Sequence, residues 1–400
     1  MPTLISGASR ASTINQNGLV REMLEEALLL DPKKYPFIML LRKWGAPVPK
    51  KRMKVEWRER ARRQDALTVT AVTAAAGTDL YVSAAEGDII NPMTDAYLYN
   101  TRTGEVVLYQ SESAGTVTIL HKSGSGGVTF ATAVGDKLLI LSEGHAEGED
   151  PQGAYSQQEE DRYNYLMEIS RTIQATNIEQ LEEHYGKDQR ELDIAMAWVE
   201  EFQKLALVGY FGQRTLDTSS ASARRRYLTR GVAEGCQTNY VNMDDMGGGM
   251  TYDMFCTLLE KTVRTGSAGD KTVIAGTNFM RNVSAWGENK LQIQNAAAKY
   301  GLNIRTVLTW SAGDVDISYD PQLTSPKGLS DRMFVLDQKQ MKYLYMRPKK
   351  LPEGRTVGGD LRLLRGYDNT SPFVSKDIIT GIVGFMMGLE ENFLYAYNIR

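Results

Sequence analysis

The sequence predicts an α+β fold. Three observations carry that prediction: a run of short strands between about residues 66 and 146, an unbroken amphipathic stretch from about 190 to 211, and alternating helical and extended patterns from 251 onward. The chain has 400 residues, 42% of them hydrophobic, which is enough for two or three domains around a buried core.

Residues 1–18 are small and polar, with Ser6, Gly7, Ser9, Ser12 and Asn15 among them, and read as an extended arm. Leu19, Val20, Met23, Leu24 and Leu28 then recur at helical spacing with Glu22, Glu25 and Glu26 between them. Asp31 and Pro32 end that short helix. Arm and helix make a first region, 1–45.

The second region, 46–175, opens on a basic segment at 50–63. Met53, Val55 and Trp57 alternate with charged residues, a strand pattern. Its polar positions include Lys51, Arg52, Lys54, Glu56, Arg58 and Arg60, the candidate contact residues of the chain. One reading is a nucleic-acid patch, and the other is a strand paired across a subunit boundary. Interleaved Glu56 and Glu59 favour the second. Between 66 and 146, β-rich runs are separated by turn signals such as Glu86-Gly87-Asp88, Asn91-Pro92 and Gly135-Asp136. That spacing predicts a small sandwich or barrel, set in as a self-contained module. An acidic, polar connector from 143 to 161 follows.

The third region, 176–250, holds the rod. Ile194, Trp198, Phe202 and Leu205 lie near one stripe, with Asp193, Ala197, Glu200, Glu201 and Lys204 opposite. No proline interrupts it, and Gly209 or Gly212 ends it, giving a helix of roughly 33 Å. Loop-rich sequence follows, including Arg224, Arg225 and Arg226, where phosphate contact competes with a solvated loop. From 251 to 350 the expectation is a helix at 252–263, a strand at 272–275, helices at 278–286 and 290–299, and a strand at 303–309. A strand at 314–319 is expected to pair with strands at 333–337 and 342–346. The last region, 351–400, ends in alternating apolar sequence from Gly381 to Tyr397, expected as one long strand.

Composition and motifs narrow the function. Net charge is −3, so the molecule as a whole is not a polycation for nucleic acid. Cys236 and Cys256 are the two cysteines, spaced for neither a disulfide framework nor a zinc site. The three histidines, His121, His145 and His184, stand apart, with no nucleophile elbow or HExxH around them. The segment 266–272 resembles a phosphate loop but puts Asp270 before Lys271 and precedes a strand, so it reads as a helix-to-strand turn. Asp314 and Asp316 alternate without forming a cage for a cation. No enzyme activity, cofactor or metal is expected. The apolar runs 379–389 and 205–211 are too short for a bilayer, which needs about 20 residues, and the sequence starts without a signal-peptide pattern.

The order of parts resembles the tailed-phage major capsid family with the Hong Kong 97-type fold. The resemblance rests on Val55-Glu56-Trp57, Glu147-Gly148 and Tyr163-Asn164-Tyr165, which are similar to the two limbs of the family's extended loop. It rests also on 175–209 for the spine-helix region, on 335–348 for late axial-domain strands, and on the terminal apolar stretch. The usual asparagine-tyrosine-threonine-glutamine run is altered at 164–165. The resemblance implies an N-terminal arm, an extended loop carrying the β module, a spine helix, and peripheral and axial domains. It is nearest a branch with a β-rich insertion in that loop. It further implies self-assembly as hexamers and pentamers into an icosahedral shell around double-stranded DNA in the host cytoplasm. A scaffolding protein and portal are implied partners, a decoration protein is a further one, and no membrane is involved. Two other functions compete: a nucleic-acid-binding protein using 50–63, and a tail or adhesin protein using the β module as a binding pocket.

Overall fold

A computed structural model describes residues 35–60, 65–71, 79–90, 93, 95–122, 132–144, 147, 159–176, 189–218, 225–263, 270–288, 294–295, 304–309, 313–350, 356–366 and 374–400. The expected arm and the helix at 19–28 lie outside these residues, as does most of the acidic connector. The chain divides into two compact units, one of residues 1–57 with 163–400 and one of residues 58–162.

Two large sheets and a small hairpin, Thr215–Asp217 with Arg226–Leu228, lie among the described residues of the larger unit. A seven-stranded sheet runs in the order Tyr240–Asn242, Leu394–Tyr397, Met333–Asp337, Lys271–Ala275, Gly313–Tyr319, Ile304–Thr309, Gln294–Asn295. Its central strands Lys271–Ala275 and Met333–Asp337 are buried at every position. Alternation along a strand explains this, because successive residues feed opposite cores. Val273, Ala275 and Val335 pack with Phe255, Leu259 and Phe279 of helices Tyr252–Val263 and Thr277–Glu288. Ile274, Phe334 and Leu336 face the other way, into a core with Leu205, Ala206 and Tyr210 of the long helix Gln189–Phe211.

That second core is shared with the other sheet of this unit, ordered Val48–Lys50, Met341–Lys350, Val374–Met387, Met167–Thr176. Tyr343, Ile169, Val383 and Phe385 supply its apolar contribution. Helix Pro36–Trp44, which the sequence reading passes over, also lies here, with Phe37, Ile38, Leu40 and Leu41 buried. Its signal is Pro36 at the first helical position, where a missing N–H costs nothing. Gly209 lets Phe37 approach the long helix: a Cβ there would stand 2.1 Å from the Phe37 ring.

The smaller unit is a closed six-stranded barrel. Its circuit is Ala66–Ala71, Asp79–Val82, Thr116–Lys122, Val106–Ser113, Ala96–Asn100, Lys137–Glu143 and back to the first strand. Leu67, Val69, Leu80, Leu98, Val107, Tyr109, Val117 and Leu138 fill the interior. A buried polar clip closes one end. Asp136 accepts two bonds from the Arg102 guanidinium, at 2.7 and 2.9 Å, and others from Asn100 Nδ2 and the Ala133 N–H.

Several sequence expectations are corrected. Glu86-Gly87-Asp88 is no turn but part of helix Ala84–Ile90, which buries Ile90 against the barrel core. Ser83 caps it by accepting the Glu86 N–H, and Ser-x-x-Glu is the sequence signal that was there to read. The stretch 381–397 is two strands in two sheets. Gly388 and Leu389, the latter at φ 50°, with the turn Glu390–Asn392, break it. Gly313–Tyr319 pairs with Lys271–Ala275 and Ile304–Thr309, while Met341–Lys350 belongs to the other sheet. The helix expected at 290–299 is contradicted at Gln294–Asn295, a strand paired with Thr306 and Arg305, and its other residues lie outside the described ones.

Candidate assembly surface and its supports

The basic segment folds as strand Lys54–Glu59 and pairs with Glu160–Tyr165 in a two-stranded ribbon of its own. Val55 turns inward against Leu166 and Leu344, so the charged alternate positions face solvent. Much of that charge finds partners in the same chain. Lys54 pairs with Glu56, and this hydrogen bond is the main reason its ammonium is held above the ordinary lysine range. Arg58 reaches Asp161 at 3.3 Å and Glu159 at 3.6 Å. Lys51, Arg52 and Arg60 form no ion pair among the described residues. Both Lys54 and Arg214 stand over the Tyr163 ring, at 4.5 and 4.0 Å from its centroid.

Asn164, beside this ring, enters the sequence reading only within the run Tyr163-Asn164-Tyr165, with no structural role assigned to it there. It is 4% exposed. Its Nδ2 donates to Phe385 O at 2.7 Å and Thr229 Oγ1 at 3.1 Å, while its Oδ1 accepts from Arg230 N and Tyr165 N, each at 2.8 Å. One amide thereby satisfies backbone groups of two distant segments, at 230 and 385, and of its neighbour Tyr165. Partners 65 and 221 residues away leave no trace in local sequence.

The long helix spans 23 residues, about 34 Å. Ile194 and Leu205 are buried as expected. Trp198 and Phe202 are only half-buried: they stack on each other at 5.6 Å, and Phe202 stacks on Tyr35 at 4.8 Å. The buried stripe runs instead through Ala197 and Glu201, both placed on the opposite face by the sequence reading. Glu201 is tolerated there because Lys204 meets it at 2.8 Å and Arg171 at 3.6 Å. Arg190, in the first turn, holds Asp377 of strand Val374–Met387 through two bonds of 2.8 Å.

The described residues offer no cluster of acids, histidines and cysteines that could hold a metal ion, and no helix among them is long and apolar enough to cross a membrane. Cys236 and Cys256 are buried and form no disulfide. His121 lies in a barrel strand, and His145 and His184 lie outside the described residues.

The profile of the SU10 major capsid protein family matches residues 7–360. The chain belongs to that family. No curated protein matches it. Solved structures similar to it include the capsid asymmetric unit of cyanophage A-1(L), with 10% identity, a TM-score of 0.48, and coverage of 97% of this chain and 99% of that one. The capsid of myovirus phage XM1 shows 8% identity, a TM-score of 0.46, and coverage of 98% and 99%. The capsid of a native GTA particle shows 8% identity, a TM-score of 0.44, and coverage of 98% of both chains.

This major capsid protein has the α+β Hong Kong 97-type fold with its long helix, and it forms the phage head shell. It is a structural component of the virion and not an enzyme. The barrel of this capsid protein is filled by side chains, which removes the basis for a polar binding pocket within it.

Proposed function

We propose that the capsid protein tiles an icosahedral shell as hexamers and pentamers around double-stranded DNA, with residues 46–175 as an extended loop lying over neighbouring subunits. In this reading 176–250 and 351–400 are mainly peripheral domain and 251–350 mainly axial domain. The barrel supports reading the chain as one of a branch with a β-rich insertion in the loop. A scaffolding protein and a portal direct the curvature, and a decoration protein is a further candidate partner.

The observation that carries this reading is the ribbon Lys54–Glu59 with Glu160–Tyr165. Two strands alone are marginal in water. Such a ribbon gains its stability by burial, and sister subunits are the surface a shell provides. Lys51, Arg52 and Arg60 remain available for acids of a neighbour. Charge reversal at these three positions, followed by negative-stain microscopy with and without scaffolding protein, tests it. Loss of particles with a soluble, folded subunit supports the assembly role. Normal particles with a lost salt-dependent affinity for DNA would return the segment to the nucleic-acid reading.

A further inference from the structure

Cations collect without acids at one end of the sheet that holds Met341–Lys350. Residues 338–352 carry five cations and no acid, and residues 45–55 carry four and no acid, against 46 cations and 49 acids in the whole chain. Register brings the two segments together. Strands Val48–Lys50 and Met341–Lys350 run parallel, with Lys50 opposite Met346. Neighbouring strands stand about 4.8 Å apart. Arg347, Pro348, Lys349 and Lys350 are all exposed. On their other side, Lys349 and Lys350 pair with Val357 and Thr356 of the return strand Thr356–Gly359.

This charge is not balanced among the described residues. Lys54 pairs with Glu56 and Lys339 with Asp270, but Lys50, Arg347, Lys349 and Lys350 form no ion pair there. Asp360, just beyond the return strand, is held by Arg42 at 2.6 Å and by the Tyr343 hydroxyl at 2.7 Å. The linking residues 351–355 add one acid, Glu353, and one cation, Arg355, which cancel.

Two features decide what kind of partner fits. Strand Val48–Lys50 ends opposite Met346, so no strand flanks 347–350 on that edge among the described residues. Pro348 has no N–H to offer there and cations surround it, a combination that discourages addition of a partner's strand. Side chains are left to make the contact. The second feature is the sign of the charge. Acids interleave with cations in 50–63, as suits a protein interface, whereas none interleave here, as suits a partner of one sign throughout. From Arg347 to Lys350 the strand covers about 10 Å, over which duplex DNA presents roughly six phosphate charges.

We propose that Arg347, Lys349 and Lys350, with Lys50 beside them, bind the phosphate backbone of double-stranded DNA. Contacts of this kind position a duplex and read no sequence. The proposal rests on the enclosure of double-stranded DNA by the shell. Lys51 and Arg52, proposed to meet a neighbouring subunit, stay unchanged in its test.

The unassembled full chain is titrated into short labelled duplexes of two unrelated sequences over a range of sodium chloride concentrations, with fluorescence anisotropy as the readout. Affinity should fall with salt, and equally for both sequences. Arg347→Gln with Lys349→Gln and Lys350→Gln removes three phosphate contacts at exposed positions, so the slope of log K against log salt should flatten by about 2.7. Lys261→Gln with Arg281→Gln, exposed on helices Tyr252–Val263 and Thr277–Glu288, should leave the slope unchanged. Polyglutamate serves as the probe for an acidic protein. Tighter binding of polyglutamate than of DNA at equal salt would assign the hairpin to such a partner and overturn the proposal. So would a parent chain that binds no duplex at low salt, or a triple variant that keeps the parent's slope. Negative-stain microscopy reports on assembly separately, and the triple variant is expected to form shells. Lost shells with an unchanged slope would make the hairpin a subunit contact instead.

Discussion

Arg190 and Asp377 join the first turn of the long helix to the strand Val374–Met387 by a bidentate ion pair, with Asp377 1% exposed and the Gly366 N–H donating to it at 3.0 Å. The guanidinium fork matches the two carboxylate oxygens in geometry, and a lysine cannot do so. Arg190→Ala leaves a buried carboxylate without its counter-charge and is expected to cost about 3–5 kcal/mol. Arg190→Lys is expected to recover only part of that. Urea unfolding of the unassembled subunit measures both.

Gly209 and Phe37 set a second expectation. In an exposed helix, Gly→Ala gains about 1 kcal/mol from helix propensity. Here the added methyl would meet the Phe37 ring at 2.1 Å, and Phe37 is itself packed on Tyr210 and Phe385 at 4.6 and 5.5 Å. Overpacking of this kind costs about 1–3 kcal/mol, so steric overlap wins. Gly209→Ala should lower the melting temperature, and Gly209→Ala with Phe37→Leu should raise it again.

Lys271 and Asp337 are a cross-strand pair at the heart of the seven-stranded sheet, with side chains 0% and 3% exposed and 2.9 Å apart. Burial pushes the Lys271 ammonium below its ordinary range, against the opposing pull of Asp337. Lys271→Met alone leaves the carboxylate unpaired and is expected to cost about 3–5 kcal/mol. Adding Asp337→Asn removes that charge and retains an acceptor for the Lys339 and Gln340 N–H groups. The double variant should therefore be more stable than Lys271→Met, which a double-mutant cycle would show.

Acid should act on the barrel through Asp136. The hydrogen bonds from Arg102 hold its carboxyl well below the usual carboxylate range. A lowered folded-state pKa means that the unfolded chain binds the proton more readily. The contribution is thus complete above the unfolded value of about 3.9 and is lost as pH falls through the folded one. Hydrogen exchange of barrel peptides should quicken below about pH 4. Asp136→Asn should weaken the barrel at neutral pH and flatten its acid response.

The long helix was legible because 189–211 carries no breaker and its buried stripe includes Ile194 and Leu205, which local spacing identifies. Glu201 misled that spacing: its partner Arg171 comes from a strand 30 residues earlier, and a charge on a buried face is readable only with its partner. The barrel was legible for the same local reason, since each strand ends at turn residues. Strand order was not. Tyr395 sits between Asn239–Tyr240 and Phe334, and nothing near residue 395 in sequence encodes either neighbour. The ribbon's charge pattern was visible, but the pairing of Arg58 with Glu159 and Asp161 depends on a second strand about a hundred residues on.

The strand Leu394–Tyr397 lies inside the seven-stranded sheet, between Tyr240–Asn242 and Met333–Asp337. A ribosome must therefore release almost all of these 400 residues before that sheet can close. The barrel, built from consecutive strands, can mature much earlier on the nascent chain. Nascent polypeptides thus expose a finished appendage and an unfinished body, so lattice-competent subunits arise only after translation has passed the last strand.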